Sequence, residues 1–393
     1  MSRNSLLFIS HYPFYGGPQN RIAQLAEPLR RHSWDTTVAL PQEPGNAYER
    51  LTDAGVDVVQ LKIHRLRSAR NVGKNVLFAA SIFQDISVLR QLIRERNVSL
   101  VVVAGLVNPQ GSIAAKLEKR AVVWQVVDTR TPAIIRAAIT PIVTRTADVV
   151  MTTGEKVASS HPGLEILGDR LIPFYSPVDT VRFAPNEQTR QDARKLLHIP
   201  PGGLVIGAVA NITPQKGIEY LLRTYAELRK QRDDVYLRII GSRMGTQDRY
   251  WNKLSEEASK LGLKDWTNSI VYEPRGDVSR VILGIDIFVL TSVPNSEGAP
   301  TSVIEAMACG IPVVAADVGS VSELVSEGRT GYVVGAGEIY AFTNRIQRLL
   351  NDPDRRRDFG AEARRIATKE FALEKCLSTH LSAFDAALRH NKP

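Results

Sequence analysis

Two glutamates and a lysine are the side chains whose types and spacing could do chemistry in this chain. Glu297 and Glu305 lie in the segment NSEGAPTSVIEAMACGIPVV, residues 295–314. A β-branched run at 285–291 reads as a strand, a loop follows, and a helix is expected from Ala299 to Ala308. Pro300 suits a first helical turn, where a missing N–H costs nothing. The amides of Pro300's neighbours, around Ala299 and Thr301, would be free to bind an anion there, and the helix dipole favours one. Gly298 lets the backbone come close to a ligand. Glu305 falls about six residues on, or roughly 9 Å along the helix axis. Carboxylates so placed could hold hydroxyls on either side of a diphosphate docked on the helix start. An ordinary helix with an acid before it and one surface glutamate has the same spacing.

Lys216 follows another strand, 204–210, in the turn Asn211-Ile212-Thr213-Pro214-Gln215-Lys216-Gly217. A lysine at a strand-to-helix turn can reach a phosphate as a mobile point charge. Gly16 and Gly17 follow the first strand and precede a helix. A glycine pair there allows close approach of a ligand, as it allows an ordinary tight turn. Asp128 ends the run WQVVD at 124–128. It could assist an acceptor hydroxyl, or cap the helix expected near Pro132; the cap is the preferred reading.

The elements that must position these residues alternate along the chain. Strands are expected at 5–10, 35–40, 57–61, 100–104, 121–127 and 148–152, then at 204–210, 235–241, 269–273, 285–291, 312–316 and 331–334. Helical patterns fall between many of them, including 18–31, 75–96, 218–232 and 250–261. Two strings of βα units predict an α/β protein with two doubly wound, mostly parallel sheets. The nearly continuous Val, Ile and Leu runs suit sheets covered on both faces. The expected division is a first domain at 1–175, a proline-rich linker with a short helix in it at 176–201, a second domain at 202–370, and a closing helix at 371–393.

At 393 residues the chain is long enough for two cores. Its longest continuous apolar runs are far shorter than the roughly 20 residues of a membrane-spanning helix, and its first residues make a poor signal peptide. A cytoplasmic protein is expected. Cys309 and Cys376 form no disulfide framework and read as buried apolar residues. No triphosphate-binding glycine loop and no His/Cys metal spacing is present. Asp352-Pro353-Asp354 reads as a helix stop and start, so no metal is expected. The net charge of +9 lies mostly before Tyr175. Between Asp57 and Asp85 there is no acid, but there are Lys62, Arg65, Arg67, Arg70 and Lys74. Such a stretch could meet an anionic membrane surface, or be a solvated basic loop. It lacks the interleaved aromatics of a nucleic-acid platform.

The segment SEGAPTSVIEAMACGIPVVAADVG, with GRTGYVV at 328–334, resembles the retaining glycosyltransferases of family 4, which have the two-domain GT-B fold. Their signature is two glutamates with seven residues between them, as Glu297 and Glu305 have. The resemblance extends over most of the chain and is most specific from 204 to 334. It implies two Rossmann-like domains facing a cleft, with a nucleotide-diphosphate-sugar as co-substrate. Lys216 would bind the diphosphate, Glu305 the ribose and Glu297 the sugar, and Gly16-Gly17 would face the donor across the cleft. The final helices would cross back to the first domain. Asn211 stands where the family often has an arginine, and Val127 where it often has a histidine. The implied reaction is metal-independent transfer to a hydroxyl acceptor, with a lipid-linked or envelope glycan as one acceptor class. A sugar-nucleotide epimerase and a non-catalytic sugar-nucleotide binder are the alternatives on the same fold.

Overall fold

The structure, a computed structural model, describes residues 3–67, 71–107, 109–243, 247–271 and 277–391. The chain divides into two compact units, residues 1–177 with 373–393, and residues 178–372.

In the first unit the strands are β1 (Asn4–Ser10), β2 (Trp34–Pro41), β3 (Asp57–Leu61), β4 (Leu100–Ala104), β5 (Ala121–Val126), β6 (Val149–Thr152) and β7 (Leu171–Pro173). Among the described residues they form one parallel sheet in the order β3-β2-β1-β4-β5-β6-β7. The helices are α1 (Gly17–Arg31), α2 (Ala47–Asp53), α3 (Val72–Glu95), α4 (Pro109–Leu117), α5 (Ala133–Thr146) and α6 (Glu155–Ser159). Every residue of β4 and β5 is buried, as expected of central strands covered on both faces. In α1, Ile22, Leu25 and Leu29 recur at helical spacing and are buried against the sheet.

In the second unit the strands are β8 (Leu204–Val209), β9 (Val235–Ile240), β10 (Ile270–Val271), β11 (Ile287–Leu290), β12 (Val313–Ala316) and β13 (Gly331–Val334). Among the described residues they make a parallel sheet in the order β10-β9-β8-β11-β12-β13. The helices are α7 (Glu187–Leu196), α8 (Ile218–Arg229), α9 (Asp248–Lys260), α10 (Ser279–Ile282), α11 (Thr301–Ala308), α12 (Val321–Leu324), α13 (Ile339–Leu350) and α14 (Pro353–Glu370). The final helix, α15 (Leu373–His390), belongs to the first unit. Its Cys376, Ala383, Phe384 and Ala387 are buried in the same core as Trp34 and Phe174.

A buried polar chain ties α15 down. Arg21 donates to Gln125 Oε1 at 2.6 Å and lies 4.6 Å over the Phe174 ring. Gln125 Nε2 donates to His380 Nε2 at 3.2 Å, and His380 Nδ1 donates to the Cys376 carbonyl at 2.8 Å. Both histidine nitrogens are thereby used in the neutral form. Burial, helped by the Arg21 charge, pushes the His380 pKa down to about 3.

Three expectations need correction. The short helix expected among the prolines of 176–201 is α7, but it belongs to the second unit and not to a linker. Asn186 caps α7 by accepting from the Thr189 amide at 2.8 Å, and Arg190 and Arg194 clamp Asp286 at 2.5 and 3.2 Å. What the proline spacing could not show is the helix's fixing partner, about ninety residues away. The division falls instead between Pro177 and Val178. Helix α11 starts at Thr301, not Ala299, because Pro300 has an extended ψ of 119° and sits at the N-cap. Asp128 does not cap α5. Pro132 occupies that N-cap, and Asp128 Oδ1 instead accepts from the Arg130 amide at 3.1 Å. The strand expected at 269–273 is described only as β10, since 272–276 lie outside the described residues.

Candidate functional site

In both sheets the strand order reverses direction at one place, between β1 and β4 and between β8 and β11. In open parallel sheets ligands bind beyond the carboxyl ends of the strands at such a switch point. The loop after β8 carries Asn211 to Gly217, and the loop after β11 carries Thr291 to Pro300. The switch point of the second unit therefore brings together two segments that are far apart in sequence.

Their contact is an ion pair. Lys216 Nζ donates to Glu297 Oε1 at 2.6 Å, and Ser292 Oγ donates to the same oxygen at 2.7 Å. Glu297 is 5% exposed, whereas the Lys216 side chain is 24% exposed. The carboxylate is thus the fixed partner and the ammonium the accessible one. The two loops are also laced by backbone. Thr291 Oγ1 donates to the Lys216 carbonyl at 3.1 Å, and the Val293 amide donates to the Gln215 carbonyl at 3.0 Å.

Two glycines make that lacing possible. Gly217 has φ +58°, and a Cβ there would stand 2.2 Å from the Thr291 carbonyl oxygen. Gly319 has φ +53°, and its Cβ would meet the Gly298 oxygen at 2.2 Å. Neither position accepts a side chain without moving backbone. The Ser320 amide donates to the Gly298 carbonyl at 2.8 Å and holds that carbonyl in place.

At the start of α11 the Val303 amide is taken by the Pro300 carbonyl at 3.1 Å. Among the described residues the amides of Gly298, Ala299, Thr301 and Ser302 have no partner. They form a group of donors beside the positive end of an eight-residue helix. Glu305 lies one turn further in and keeps part of its surface exposed. Burial of its carboxyl pushes the pKa up to about 7, against the pull of the Arg182 guanidinium. Asn211 is exposed and accepts from Ser242 Oγ at 3.2 Å, so it supplies no cation beside these donors.

In the first unit Gly16 and Gly17 lie at the other switch point. Neither has a positive φ, and a Cβ on Gly17 would meet nothing within 4 Å. A tight turn therefore does not explain the pair. Gly16 donates its amide to Gln19 Oε1 at 3.2 Å, and the buried Gln19 also donates to Ser10 Oγ at 2.8 Å. Asp128 and Val127 follow β5 nearby in the fold. His11 follows β1 and donates from Nδ1 to the Ala104 carbonyl at 3.2 Å, and burial pushes its pKa down to about 4.

Of the residues that sequence reasoning names, the structure brings Lys216 and Glu297 into contact, and it sets beside the named residues Ser292, Gln19, Arg182 and His11, which sequence reasoning did not single out. No local signal separates Ser292 from any loop serine, because its role depends on a carboxylate brought back to it by the loop. The basic stretch is corrected in part. Arg65 and Arg67 both bind Glu43, at 3.1 and 2.6 Å, so neither charge is free. Lys62 and Lys74 are exposed, and Arg70 lies outside the described residues.

Two Rossmann-like parallel sheets, with a lysine–glutamate pair and free helix-start amides at a switch point, define a GT-B glycosyltransferase architecture. The family model "Glycosyl transferases group 1" matches residues 189–366, and "Glycosyl transferase 4-like domain" matches residues 16–165. The chain belongs to the family-4 type of GT-B glycosyltransferases. It is 31% identical over 205 residues to D-inositol 3-phosphate glycosyltransferase of Gordonia bronchialis, covering 51% of this chain and 44% of that protein. It is 31% identical over 202 residues to a GDP-mannose-dependent phosphatidylinositol monomannoside mannosyltransferase of Mycolicibacterium smegmatis, covering 50% of each. The chain thus spans about half the length of the curated relatives it matches. In fold it is similar to Anabaena HepE, whose crystal structure contains UDP, with a TM-score of 0.81, 20% identity, and coverage of 97% of this chain and 100% of that one.

Proposed function

We propose that this protein transfers a sugar from a nucleotide-diphosphate donor to a hydroxyl acceptor, with retention at the anomeric carbon and without a metal ion. The observation that carries this reading is the Lys216–Glu297 pair set beside the unpartnered amides of Gly298, Ala299, Thr301 and Ser302. A diphosphate brought there meets a mobile ammonium and a row of fixed N–H donors. As the C1–O bond breaks, its electron pair goes to the phosphate oxygen, and these groups stabilise the growing negative charge. They supply the positive field that a divalent cation supplies elsewhere.

Glu297 holds the hydroxyls of the departing sugar and Glu305 those of the ribose. The acceptor oxygen bonds to C1 from the face the phosphate leaves, and its proton passes to the departing phosphate oxygen. Gly17, where a Cβ would meet nothing within 4 Å, leaves the loop after β1 open to a ligand. Asp128 is the acceptor-side residue in this reading. The relatives' names point to acceptors built on phosphorylated inositol, so a phosphorylated polyol is the acceptor class to test first. Uridine and guanosine diphosphate sugars are the donors to test first, from the UDP of the Anabaena structure and the GDP-mannose of the mycobacterial relative's name.

The deciding experiment is calorimetric titration with free uridine, guanosine, adenosine and thymidine diphosphates in the presence of a chelator, followed by product analysis with the bound nucleotide's sugars. Binding of one nucleotide, with an axial or equatorial product bond matching the donor, supports the reading. Absence of binding by all four, or binding restored only by a divalent ion, would sink it. Conversion of donor to a stereoisomer without acceptor would point to an epimerase instead.

A further inference from the structure

Helix α3 carries an apolar surface that the fold of the first unit does not use. Its Ile86, Leu89, Leu92 and Ile93 are buried, and these anchor the second half of the helix. In the first half the exposure is reversed. Val72 is 66% exposed, Val76 62%, Leu77 50% and Phe83 82%. Val72, Val76, Ala79 and Phe83 recur at i, i+4, i+7 and i+11, which is one stripe of a helix, about 16 Å long at 1.5 Å per residue. Beyond Phe83 the exposed positions of α3 are Gln84, Ser87, Gln91, Arg94 and Glu95, so the apolar stripe ends there. Ile134, Ile166, Val181 and Tyr340 are also exposed, but they fall singly and need no explanation.

The charges around the stripe have one sign. Lys62 and Lys74 are exposed beside it in sequence, and Lys74 lies in the first turn of α3. Between residues 58 and 84 there is no acid. The next acid, Asp85, is buried and spends its oxygens on the His64 amide and imidazole at 2.8 and 2.9 Å. Glu43, the acid that reaches this region from β2, is spent on Arg65 and Arg67. By length and average composition α3 could cross a bilayer, but its second half is committed to the core, so it does not act as a span. An exposed apolar stripe flanked by lysines and free of acids is the pattern of a helix lying in a membrane interface.

We infer that the first half of α3 is a membrane-docking face, which inserts Val72, Val76, Leu77 and Phe83 into the headgroup boundary of an anionic bilayer while Lys62 and Lys74 meet the lipid phosphates. The basic stretch alone is not the docking element, since two of its arginines are neutralised by Glu43. The face shares no residue with the donor site, so its failure and the failure of the proposed transfer activity are separately visible.

The test uses the full chain with vesicles of mixed phosphatidylglycerol and phosphatidylcholine, and with phosphatidylcholine alone, at physiological salt. The wild-type protein floats with the anionic vesicles. Phe83→Asp lowers that partition by about tenfold or more, and Phe83→Ser lowers it less. Lys62→Glu with Lys74→Glu removes the preference for anionic lipid. Melting temperature and nucleotide binding stay unchanged in all of them, because Phe83 touches no core. The inference is overturned if the wild-type protein floats with neither vesicle, or if Phe83→Asp floats as well as the wild type. It is also overturned if sedimentation shows a dimer that Phe83→Asp dissociates, for the face would then join two copies of the chain.

Discussion

Lys216 Nζ lies 2.6 Å from Glu297 Oε1, and the two residues come from loops that follow β8 and β11. Glu297 is buried and pairs with Lys216, and Ser292 Oγ donates to the same carboxylate oxygen. Removing the lysine therefore does two things at once. It deletes the charge proposed to meet the diphosphate, and it takes a cation away from a buried carboxylate.

Lys216→Ala should lose donor binding and also lower stability by about 2 kcal/mol, between the values for exposed and buried pairs. Lys216→Ala with Glu297→Gln should regain much of that stability without regaining donor binding. Chemical denaturation and calorimetry on the four species of this cycle check it. Additive stability losses would show that the ion pair is not coupled.

Glu305 should make donor binding depend on pH. Burial raises its carboxyl from an ordinary value of 4.5 to about 7. Hydroxyls donated by a ribose favour the carboxylate, so binding expels a proton and affinity rises with pH between about 6 and 8. Glu305→Gln should flatten that rise. In stability the sign is opposite: the contribution of the raised pKa is complete below 4.5 and is lost as pH rises through 7, so Glu305→Gln gains on the wild type in alkaline solution. Equal pH slopes for donor binding in the two proteins would remove Glu305 from the donor site.

Gly319→Ala places a methyl 2.2 Å from the Gly298 carbonyl oxygen at a φ of +53°. The strained backbone and the clash should cost about 2–3 kcal/mol, and the shift of Gly298 should weaken nucleotide binding without any change in a charged side chain. Nucleotide affinity equal to the wild type in a folded Gly319→Ala protein would show that this carbonyl does not set the loop.

His380 should govern part of the acid limb of stability. Its folded pKa is about 3 against an unfolded value of 6.5. The contribution is complete above 6.5 and is lost as pH falls towards 3. His380→Phe suits the rings of Phe174 and Phe384, whose centroids lie 5.1 and 6.1 Å away, but leaves Gln125 Nε2 with only the weak Met151 sulfur as acceptor, at 3.9 Å. It should lower stability at neutral pH by about 1–3 kcal/mol and shallow the fall between pH 6.5 and 4. Melting curves over that range decide it; an unaltered slope would place the acid sensitivity elsewhere, with His11 the next group to examine.

Most strands could be read from the sequence because each is a short β-branched run buried on both faces. β4 and β12 are nothing but apolar residues. α2, α4 and β7 were not legible. β7 includes a proline and pairs only at the sheet edge, with Leu171 beside Val150; for α7 the helix was legible, but not the Asp286 that holds it. The site divides in the same way. Glu297, Glu305 and Lys216 stand in recognisable local strings, whereas Ser292 and Arg182 matter only through partners that the topology returns to them. The start of α11 was misplaced by two residues because a proline can open a helix from N1 or stand outside it, and only its ψ decides which.

Helix α15 completes the core of the first unit, yet it is encoded after the whole of the second. On a ribosome, residues 1–177 emerge with Trp34, Phe174 and the Arg21–Gln125 pair still uncovered, and they remain so until α15 has been synthesised. The second unit, residues 178–372, is contiguous and has every strand of its sheet before translation ends. The order of maturation is therefore the reverse of the order of synthesis, and a chain cut short just after α14 carries a finished second unit joined to an unfinished first one. Chaperones that bind exposed apolar surface would find the nascent protein at its N-terminal portion for longer than its position in the gene suggests.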